Sequence, residues 1–160
     1  MFKKVNKIIP LNGHVRIRAW EKKPCGKEEL IKDDTIKNLI VDEGKNSILK
    51  YLGGPAIACC TDSGYVDDIG VGCSTTAPSA CDMCLLGACA TWKNISSTDK
   101  VFVCPTLFVS VDFGYCCANF TWNELGLRDN NDNIWTRQVD CSPLIKTNSK
   151  RAIVEWQLSL

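Results

Sequence analysis

Strict alternation of apolar and polar side chains marks two well-separated parts of this 160-residue sequence. Residues 14–20 put three apolar side chains on one face and two arginines on the other, which is the pattern of a half-buried strand. Val154 to Leu160 alternates in the same way. We therefore predict two strands, and we expect the second to be paired along its length with Trp156 buried.

The second half of the sequence contains further alternation. Residues 101–113 repeat with period two across Pro105, and a proline inside such a run indicates an edge position or a bulge. The pattern continues through residues 118–122, and residues 135–139 alternate again after a turn cluster at 129–133. These segments predict a strand-rich second half.

One segment predicts a helix. Asp42 is a favourable N-terminal cap for a helix that runs to Leu52, and a Gly-Gly-Pro run follows as its stop. The preceding residues 28–41 suit a helix about as well as a strand, and we assign residues 35–41 to a strand.

Residues 54–91 differ in kind from the rest. No lysine or arginine lies between Lys50 and Lys93, and six of the eleven cysteines lie here among small and polar residues. We expect loops around one short strand at 68–71. The whole sequence therefore predicts a mainly β fold, an antiparallel β-sandwich with one short α-helix near residues 42–52.

Size and composition favour a single compact domain. Apolar residues make up 45% of the chain and charged residues 23%, which is enough to bury a core. Within this domain we distinguish an N-terminal arm and first strand, residues 1–34, from a β-sandwich domain, residues 35–160. No apolar run is long enough to span a bilayer and no signal peptide is evident, so we expect synthesis in a cytosol.

Charge is nearly balanced but unevenly placed. The formal net charge is +1, so no global field favours nucleic acid or an anionic membrane as a partner. Residues 1–51 hold twelve basic against seven acidic side chains, and residues 52–160 hold seven against eleven. We expect the two parts to attract each other, or their counterparts in a neighbouring subunit.

Eleven cysteines are the most unusual feature of the composition. Such a density is typical of an oxidising environment or of metal binding, whereas the other features indicate a reducing cytosol. A particle that assembles in the cell and meets air after lysis reconciles the two, because disulfides then form between thiols that assembly has brought together. The candidate disulfide or cross-link residues are Cys25, Cys59, Cys60, Cys73, Cys81, Cys84, Cys89, Cys104, Cys116, Cys117 and Cys141.

Counting indicates that at least one cysteine bonds to another chain. Eleven is odd, so complete pairing within the chain leaves one thiol over. Adjacent cysteines rarely bond to each other, because neighbouring Cα atoms lie about 3.8 Å apart and a disulfide needs roughly 4.4–6.8 Å. If Cys116 and Cys117 lie in extended chain, one of them points outward. We expect Cys25 and either Cys59 or Cys60 to be the intermolecular partners.

Three stretches, taken in order, resemble a known group of proteins. They are Asn38 to Lys45 (NLIVDEGK), Ile69 to Pro78 (IGVGCSTTAP), and Asn123 to Asp129 (NELGLRD) with Ser142 to Thr147 (SPLIKT) and a closing Val154 to Trp156. The group comprises tailed-bacteriophage virion proteins of tail, fibre, collar or head-decoration type. In that group an apolar VVD-G segment, an IAVGTG-TAP loop, a TEAGLFD turn and a final KT … W strand follow one another. The resemblance covers residues 35–160 and implies an antiparallel β-sandwich that assembles with copies of itself or with other virion proteins.

The chain departs from the group's pattern at two of these places. Cys73 stands where the group has a small glycine or threonine, and Arg128 stands where it has phenylalanine. In physical terms, Gly70, Gly72 and Gly126 are expected to permit positive φ where the chain turns sharply. These motifs describe a scaffold and require no substrate.

Metal binding is the first alternative for the cysteines. Cys81, Cys84 and Cys89 offer three thiolates for zinc or an iron–sulfur cluster, but a second Cys-x-x-Cys is lacking and the single histidine, His14, lies far away in the sequence. We favour disulfides or free thiols. A catalytic thiol would also need His14 as its base, and a lone histidine in an alternating strand is more often a surface residue.

Two weaker alternatives come from polar residues. Asp62, Asp67 and Asp68 offer calcium ligands, but their spacing matches no dedicated calcium loop and solvated acids are the better interpretation. Glycosylation sequons at Asn94 and Asn119 are typical of a secreted eukaryotic module, which the missing signal peptide disfavours.

Four of the five tryptophans, Trp92, Trp122, Trp135 and Trp156, suggest a carbohydrate platform of the kind that a receptor-binding fibre uses. Three of them, Trp122, Trp135 and Trp156, fall in alternating strands, so we expect these three in the core. Trp92 is the fourth.

We therefore expect a non-enzymatic structural component of a tailed-phage particle, such as a capsid-decoration, neck or collar, or tail accessory protein, that stabilises the virion through subunit contacts and inter-subunit disulfides. We expect no catalytic residue, no bound metal and no cofactor. The expected partners are capsid, neck or tail subunits and further copies of the chain, and neither nucleic acid nor membrane. The expected location is the virion, after synthesis in the host cytoplasm. The alternative is a receptor-binding or zinc-stabilised cysteine-rich binding module.

Overall fold

The computed structural model describes residues 12–53 and 65–159. Helix α1 spans Asp42–Gly53, and a short 3-10 helix spans Ser97–Asp99. The strands of the described residues are β1 (Asn12–Lys22), β2 (Glu28–Lys37), β3 (Leu39–Ile40), β4 (Val66–Gly72), β5 (Ala90–Asn94), β6 (Lys100–Val103), β7 (Thr106–Phe113), β8 (Thr121–Asp129), β9 (Ile134–Ile145) and β10 (Lys150–Ser159).

The strands form two antiparallel sheets of five strands each. Sheet A has the order β2-β1-β10-β7-β6, and sheet B has the order β3-β9-β8-β4-β5. Together with the short helix α1, these sheets confirm the predicted mainly β sandwich. β10 lies in the middle of sheet A, where it pairs with β1 on one side and with β7 on the other.

The hydrophobic core lies between the sheets and takes side chains from both. Trp156 of β10 is fully buried and lies opposite Val15 of β1. Trp122 of β8 packs edge-to-face on Phe113 of β7, with ring centroids 5.1 Å apart. The predicted pairing of the last strand is confirmed, and so is the predicted burial of the three tryptophans, since Trp135 is also only 8% exposed.

Helix α1 begins at the predicted cap Asp42 and ends at Gly53, one residue beyond the predicted Leu52. It packs on β9 at Gly44, where a Cβ atom would lie 2.6 Å from the Cα of Trp135. Glycine alone allows so close an approach. The first turn of the helix is thereby fixed against sheet B.

The ambiguous residues 28–41 are extended, but they do not form one strand. β2 lies in sheet A and β3 lies in sheet B, so the predicted strand over residues 35–41 is split at Asn38. The backbone N–H of this buried residue donates to the Gly13 carbonyl at 3.0 Å, and its side-chain amide donates to the hydroxyl of Thr136. These bonds fix the corner at which the chain crosses between sheets.

Pro105 does not interrupt a single strand. It lies with Cys104 in the tight turn between β6 and β7, which pair antiparallel, and the peptide bond before it is cis. The predicted alternation over residues 101–113 therefore belongs to two strands, of which β6 lies at the edge of sheet A.

The two oppositely charged parts of the chain meet at a buried ion pair. Lys32 of β2 lies 3.1 Å from Asp140 of β9, and the two side chains are only 8% and 5% exposed. This one pair of opposite charges lies within the chain, where it ties β2 at an edge of sheet A to β9 of sheet B.

Candidate functional site

Residues 73–89, which we call the covering loop, lie over the outer face of sheet B. The predicted short strand at 68–71 lies inside β4, which precedes the loop. Leu85 is buried with Ile134 of β9 in a small cluster apart from the main core. A Cβ atom at Gly126 of β8 would lie 2.9 Å from Leu85, so the loop packs on the side of the sheet that faces away from the core.

Glu124 of β8 anchors the covering loop to the sheet. Its buried carboxylate accepts hydrogen bonds from the backbone N–H groups of Ser74 (3.3 Å), Leu86 (3.1 Å) and Gly87 (2.7 Å). Gly72 on the neighbouring strand leaves room for the side chain, since a Cβ atom there would lie 2.8 Å from the Cγ of Glu124. Both ends of the loop are thus bound to one carboxylate.

Arg137 of β9 completes this anchor. Its Nε donates to Glu124 at 2.8 Å, and both side chains are 0% exposed. The rest of the guanidinium donates to Asp82 at 3.0 Å and to the carbonyl oxygens of Thr76 at 2.9 Å and Ala77 at 3.4 Å. A buried charge network within the chain therefore joins the TTAP and NELG segments of the sequence.

Alternation alone misplaces these two charged residues. Glu124 follows Trp122 by two positions and Arg137 follows Trp135 by two positions, so strict alternation puts each charge on the core face beside a tryptophan. The register of β8 and β9 shifts between Trp122 and Glu124 and again further along the pair, and such irregularities re-aim side chains. The presence of a charged residue on the apolar face of a predicted strand is the signal that would have identified Glu124 and Arg137 as residues turned away from the core.

Gly70 and Gly126 form a floor for the ring of Trp92. The two glycines are register partners on β4 and β8, and a Cβ atom at Gly70 would lie 2.5 Å from Cε3 of the ring. The expectation that Gly70, Gly72 and Gly126 adopt positive φ is wrong, because they serve close packing instead. Among the described glycines, positive φ belongs to Gly26, at 83°.

Arg128 lies over the ring of Trp92. The guanidinium carbon is 4.5 Å from the ring centroid, a distance that allows a cation–π interaction. Asp68 holds the guanidinium through Nε at 2.8 Å and Nη2 at 2.7 Å, and Asp132 lies 2.8 Å from Nη1. Arg128 therefore covers the ring of Trp92, the tryptophan that the alternating strands do not place in the core.

The candidate calcium ligands are held by separate cations. Asp68 binds Arg128, and Asp67 lies 3.3 Å from the ammonium of Lys100. Asp62, the third candidate, lies outside the described residues.

The candidate metal-binding thiols do not converge. Across residues 12–53 and 65–159, no three or more His, Cys, Asp or Glu side chains gather in a group suited to a metal ion. The structure thus does not bring Cys81, Cys84 and Cys89 together, and His14 lies half-buried in β1.

Each of the eight cysteines that the structure describes is a free thiol. Cys59 and Cys60, two of the expected intermolecular partners, lie outside the described residues, as does the side chain of Cys141. Cys25 is exposed in the turn between β1 and β2. Two described cysteines are half-buried, Cys73 and Cys117, and six are exposed: Cys25, Cys81, Cys84, Cys89, Cys104 and Cys116.

Cys116 and Cys117 lie in a turn, so the condition that they occupy extended chain is not met. This turn after β7 wraps around Lys146, which is 2% exposed. The ammonium of Lys146 donates to the Gly114 carbonyl at 2.8 Å and to the side-chain oxygen of Asn119 at 3.0 Å, and burial lowers its pKa. The KT segment thus holds the turn against the sandwich.

Strand β6 presents apolar side chains to solvent at the edge of sheet A. Val101, Phe102 and Val103 are 49%, 68% and 59% exposed, and the next residue, Cys104, is exposed as well. Within the described part of the chain, β6 pairs with β7 alone. Alternation indicates one buried and one exposed face, so it does not reveal that three consecutive residues are exposed.

Comparisons of this chain with protein-family models, with curated proteins and with solved structures give no match. In the part of the chain that the structure describes, no helix combines the length and the apolar character needed to cross a membrane.

Proposed function

We propose that this protein is a structural subunit of a tailed-bacteriophage particle, a capsid-decoration, neck or collar, or tail accessory protein that stabilises the virion through subunit contacts and inter-subunit disulfides. The exposed apolar edge of β6 is the observation that carries the proposal. The resemblance of residues 35–160 to tailed-phage virion proteins is the reason that we propose a phage particle rather than another assembly. The protein acts as a scaffold and carries out no reaction.

An apolar edge strand favours association with another strand. Monomeric proteins protect sheet edges with charges, prolines or bulges, because the unpaired N–H and C=O groups template further pairing. β6 has one charged residue, Lys100, at its first position, followed by three exposed apolar residues. A partner strand covers Phe102 and satisfies the free backbone groups of the edge.

We assign the partner strand to β6 of a second copy of the chain. Two identical strands pair antiparallel about a two-fold axis. Such a pair centred on Phe102 places the two Lys100 ammonium groups at opposite ends of the interface. A parallel pair would place these like charges side by side, which is unfavourable.

The use of the buried charges agrees with a scaffold role. Perturbed or buried ionisable groups of an active site face a cleft that admits substrate. Glu124 and Arg137 face the covering loop instead, and Lys146 faces the turn after β7. Each of these charges stabilises the subunit's own backbone.

The surface thiols supply the covalent part of the proposal. Six of the eight described cysteines are exposed, so subunits that assemble in a reducing cell present thiols to their neighbours. Release into air then allows these thiols to form disulfides between subunits.

Charge substitutions test the association of β6. Phe102→Lys places a charge at the centre of the edge, and Met83→Lys places the same charge at another exposed apolar residue, which is 79% exposed in the covering loop. In sedimentation velocity of reduced protein, we expect the wild type and Met83→Lys to dimerise and Phe102→Lys to stay monomeric. A wild-type protein that stays monomeric at its highest soluble concentration contradicts the pairing.

The place of the protein in a particle is tested on purified phage that encode it. Thiols are blocked with an alkylating agent during preparation, and denaturing gels are run with and without reductant. We expect disulfide-linked oligomers that collapse to a monomer of 17.7 kDa on reduction. Absence from the particle refutes the structural role, and a monomer without reductant refutes the inter-subunit disulfides.

A further inference from the structure

Cys73 and Cys89 face each other across the base of the covering loop. β4 and β5 pair antiparallel in the register Gly72↔Ala90, so the next pair along the ladder is Cys73 and Cys89. Residues directly opposite in antiparallel strands have Cα atoms about 4.5–5.5 Å apart and side chains on the same face.

Hydrogen bonds hold the two cysteines in contact. The backbone N–H of Cys73 donates to the carbonyl of Cys89 at 3.1 Å, and the N–H of Cys89 donates to the Sγ of Cys73 at 3.2 Å. A hydrogen bond between the two thiol side chains raises the pKa of Cys89. The carbonyl of Cys73 accepts from the side-chain amide of Asn123 at 2.8 Å, which fixes its backbone on β8 as well.

We propose that Cys73 and Cys89 are an intrachain redox pair that closes to a disulfide when the folded protein meets an oxidant, sealing the base of the covering loop. The expected Cα separation of about 4.5–5.5 Å lies within the roughly 4.4–6.8 Å that disulfides span. Cys89 is exposed and Cys73 is half-buried, so a small oxidant reaches the pair.

The oxidant in this reaction is a small-molecule disulfide. The thiolate of one cysteine attacks a sulfur of that disulfide, which gives a mixed disulfide and releases one small thiolate. The second cysteine loses its proton and attacks the protein sulfur of the mixed disulfide, which forms the Cys73–Cys89 bond and releases the second small thiolate. Two protein thiols are oxidised, one small disulfide is reduced, and the two released thiolates take up the two protons.

The bond acts on the anchor of the covering loop. Ser74 directly follows Cys73, and Gly87 lies two residues before Cys89, and the N–H groups of both donate to Glu124. A cross-link at the base restricts the unfolded loop and so favours the folded one. The exposed Cys81 and Cys84 lie inside the ring, and they take no part in its closure.

Disulfide mapping of the full-length wild-type protein tests the pairing. The folded protein is treated with oxidised glutathione, the remaining thiols are alkylated, and the unreduced digest is analysed by mass spectrometry. Trypsin is unsuitable, because the sequence has no lysine or arginine between Lys50 and Lys93. Cleavage before Asp82 separates Cys73 from Cys89, so a disulfide between them appears as one cross-linked pair of fragments.

The matched control is the double variant Cys81→Ser/Cys84→Ser, which removes the other cysteine of each fragment. We expect the same cross-linked pair in the control, at monomer mass, so the result is distinct from any bond between subunits. We expect the oxidised form to melt about 6–12 °C higher than the reduced form, because closing a ring of this size stabilises the folded state by about 3 kcal/mol. We expect Cys89→Ser to lose that rise. Complete alkylation of Cys73 and Cys89 after oxidation, or a bond from Cys73 to another cysteine, overturns the proposal even if Cys89→Ser fails to fold.

Discussion

Replacing Glu124 with glutamine keeps the size of the side chain and removes its charge from a site that is 0% exposed. One carboxylate oxygen accepts from the N–H groups of Ser74 and Gly87, and the other accepts from Leu86 and from Nε of Arg137. An amide NH2 group in either position faces two donors, so two hydrogen bonds are lost whichever way the glutamine is oriented.

The expected loss follows from the surroundings of Arg137. Removing one partner of a buried ion pair costs about 3–5 kcal/mol, and Asp82 still lies 3.0 Å from the guanidinium, which places Glu124→Gln at the lower end of that range. For a domain of this size, a loss of about 3 kcal/mol lowers the melting temperature by about 6–12 °C. The N–H groups of Ser74, Leu86 and Gly87 should also exchange faster with solvent.

Urea denaturation, thermal melting and hydrogen exchange measure these effects. The control is Arg16→Met, which breaks an ion pair between Arg16 and Asp33 whose side chains are 42% and 36% exposed, and a small change is expected there. A Glu124→Gln protein within about 1 kcal/mol of the wild type, with the loop amides equally protected, refutes the anchoring role. Combining it with Arg137→Met should cost less than the sum of the two single changes, because the second change removes the unpaired charge.

Three further predictions concern other parts of the sandwich. Gly44→Ala should destabilise the protein in urea denaturation, because the added Cβ meets the backbone of β9, although alanine usually favours a helix over glycine by roughly 1 kcal/mol. The control substitution Asn46→Ala, at an exposed position of the same helix, should not destabilise the protein. Equal effects of the two substitutions would contradict the close packing at Gly44. The hydrogen bond and charge of Arg16 lower the pKa of Asp33. The stabilisation that this ion pair gives the folded protein is therefore present above the unfolded pKa of about 4 and is lost as the pH falls through the pKa of Asp33 in the folded protein. A carboxyl NMR titration should find this pKa raised in Arg16→Met, and an unchanged pKa would exclude the pairing in solution. Lys146→Met should lower the free energy of unfolding by about 1–3 kcal/mol, because the Gly114 carbonyl and the Asn119 side chain lose a charged hydrogen-bond donor. A neutral result in urea denaturation would argue against that role.

Alternation of apolar and polar residues was sufficient to predict a strand where one face of that strand is buried and the other face is exposed. β1 and β10 alternate along nearly their whole length, so the pattern predicts both strands and the burial of Trp156. The helix at Asp42 was also predictable, since its cap and its stop are local signals.

Features that depend on how the two sheets meet could not be predicted in this way. The break at Asn38 arises because the chain changes sheets there, which is decided by contacts with Gly13 and Thr136. Glu124 and Arg137 were missed because shifts in strand register turn them away from the core. Alternation over β6 predicts one buried face, whereas Val101, Phe102 and Val103 are all exposed, so the exposure of this edge strand was not predicted.

The cysteine pattern shows a similar limit. Composition shows that cysteines are numerous, but which cysteines form disulfides with each other cannot be read from their spacing in the sequence. Cys73 and Cys89 become neighbours only because β4 and β5 pair in one register, and a change of register by one residue would separate their side chains.

The pairing of β1 with β10 sets an order of events during synthesis. Ala19 of β1 lies opposite Ala152 of β10, so β1 emerges long before its central partner exists. At about 5–20 residues per second, translation of the intervening chain takes on the order of 10 s. During that time β1, with its apolar residues Val15 and Ile17, lacks the central strand with which it pairs. Ribosome-bound chains stalled before β10 should therefore be cleaved by protease within β1 and bound by chaperones, whereas completed chains should resist cleavage and leave the chaperones. Equal protection of β1 from protease before and after synthesis of β10 would show that sheet A forms by another route.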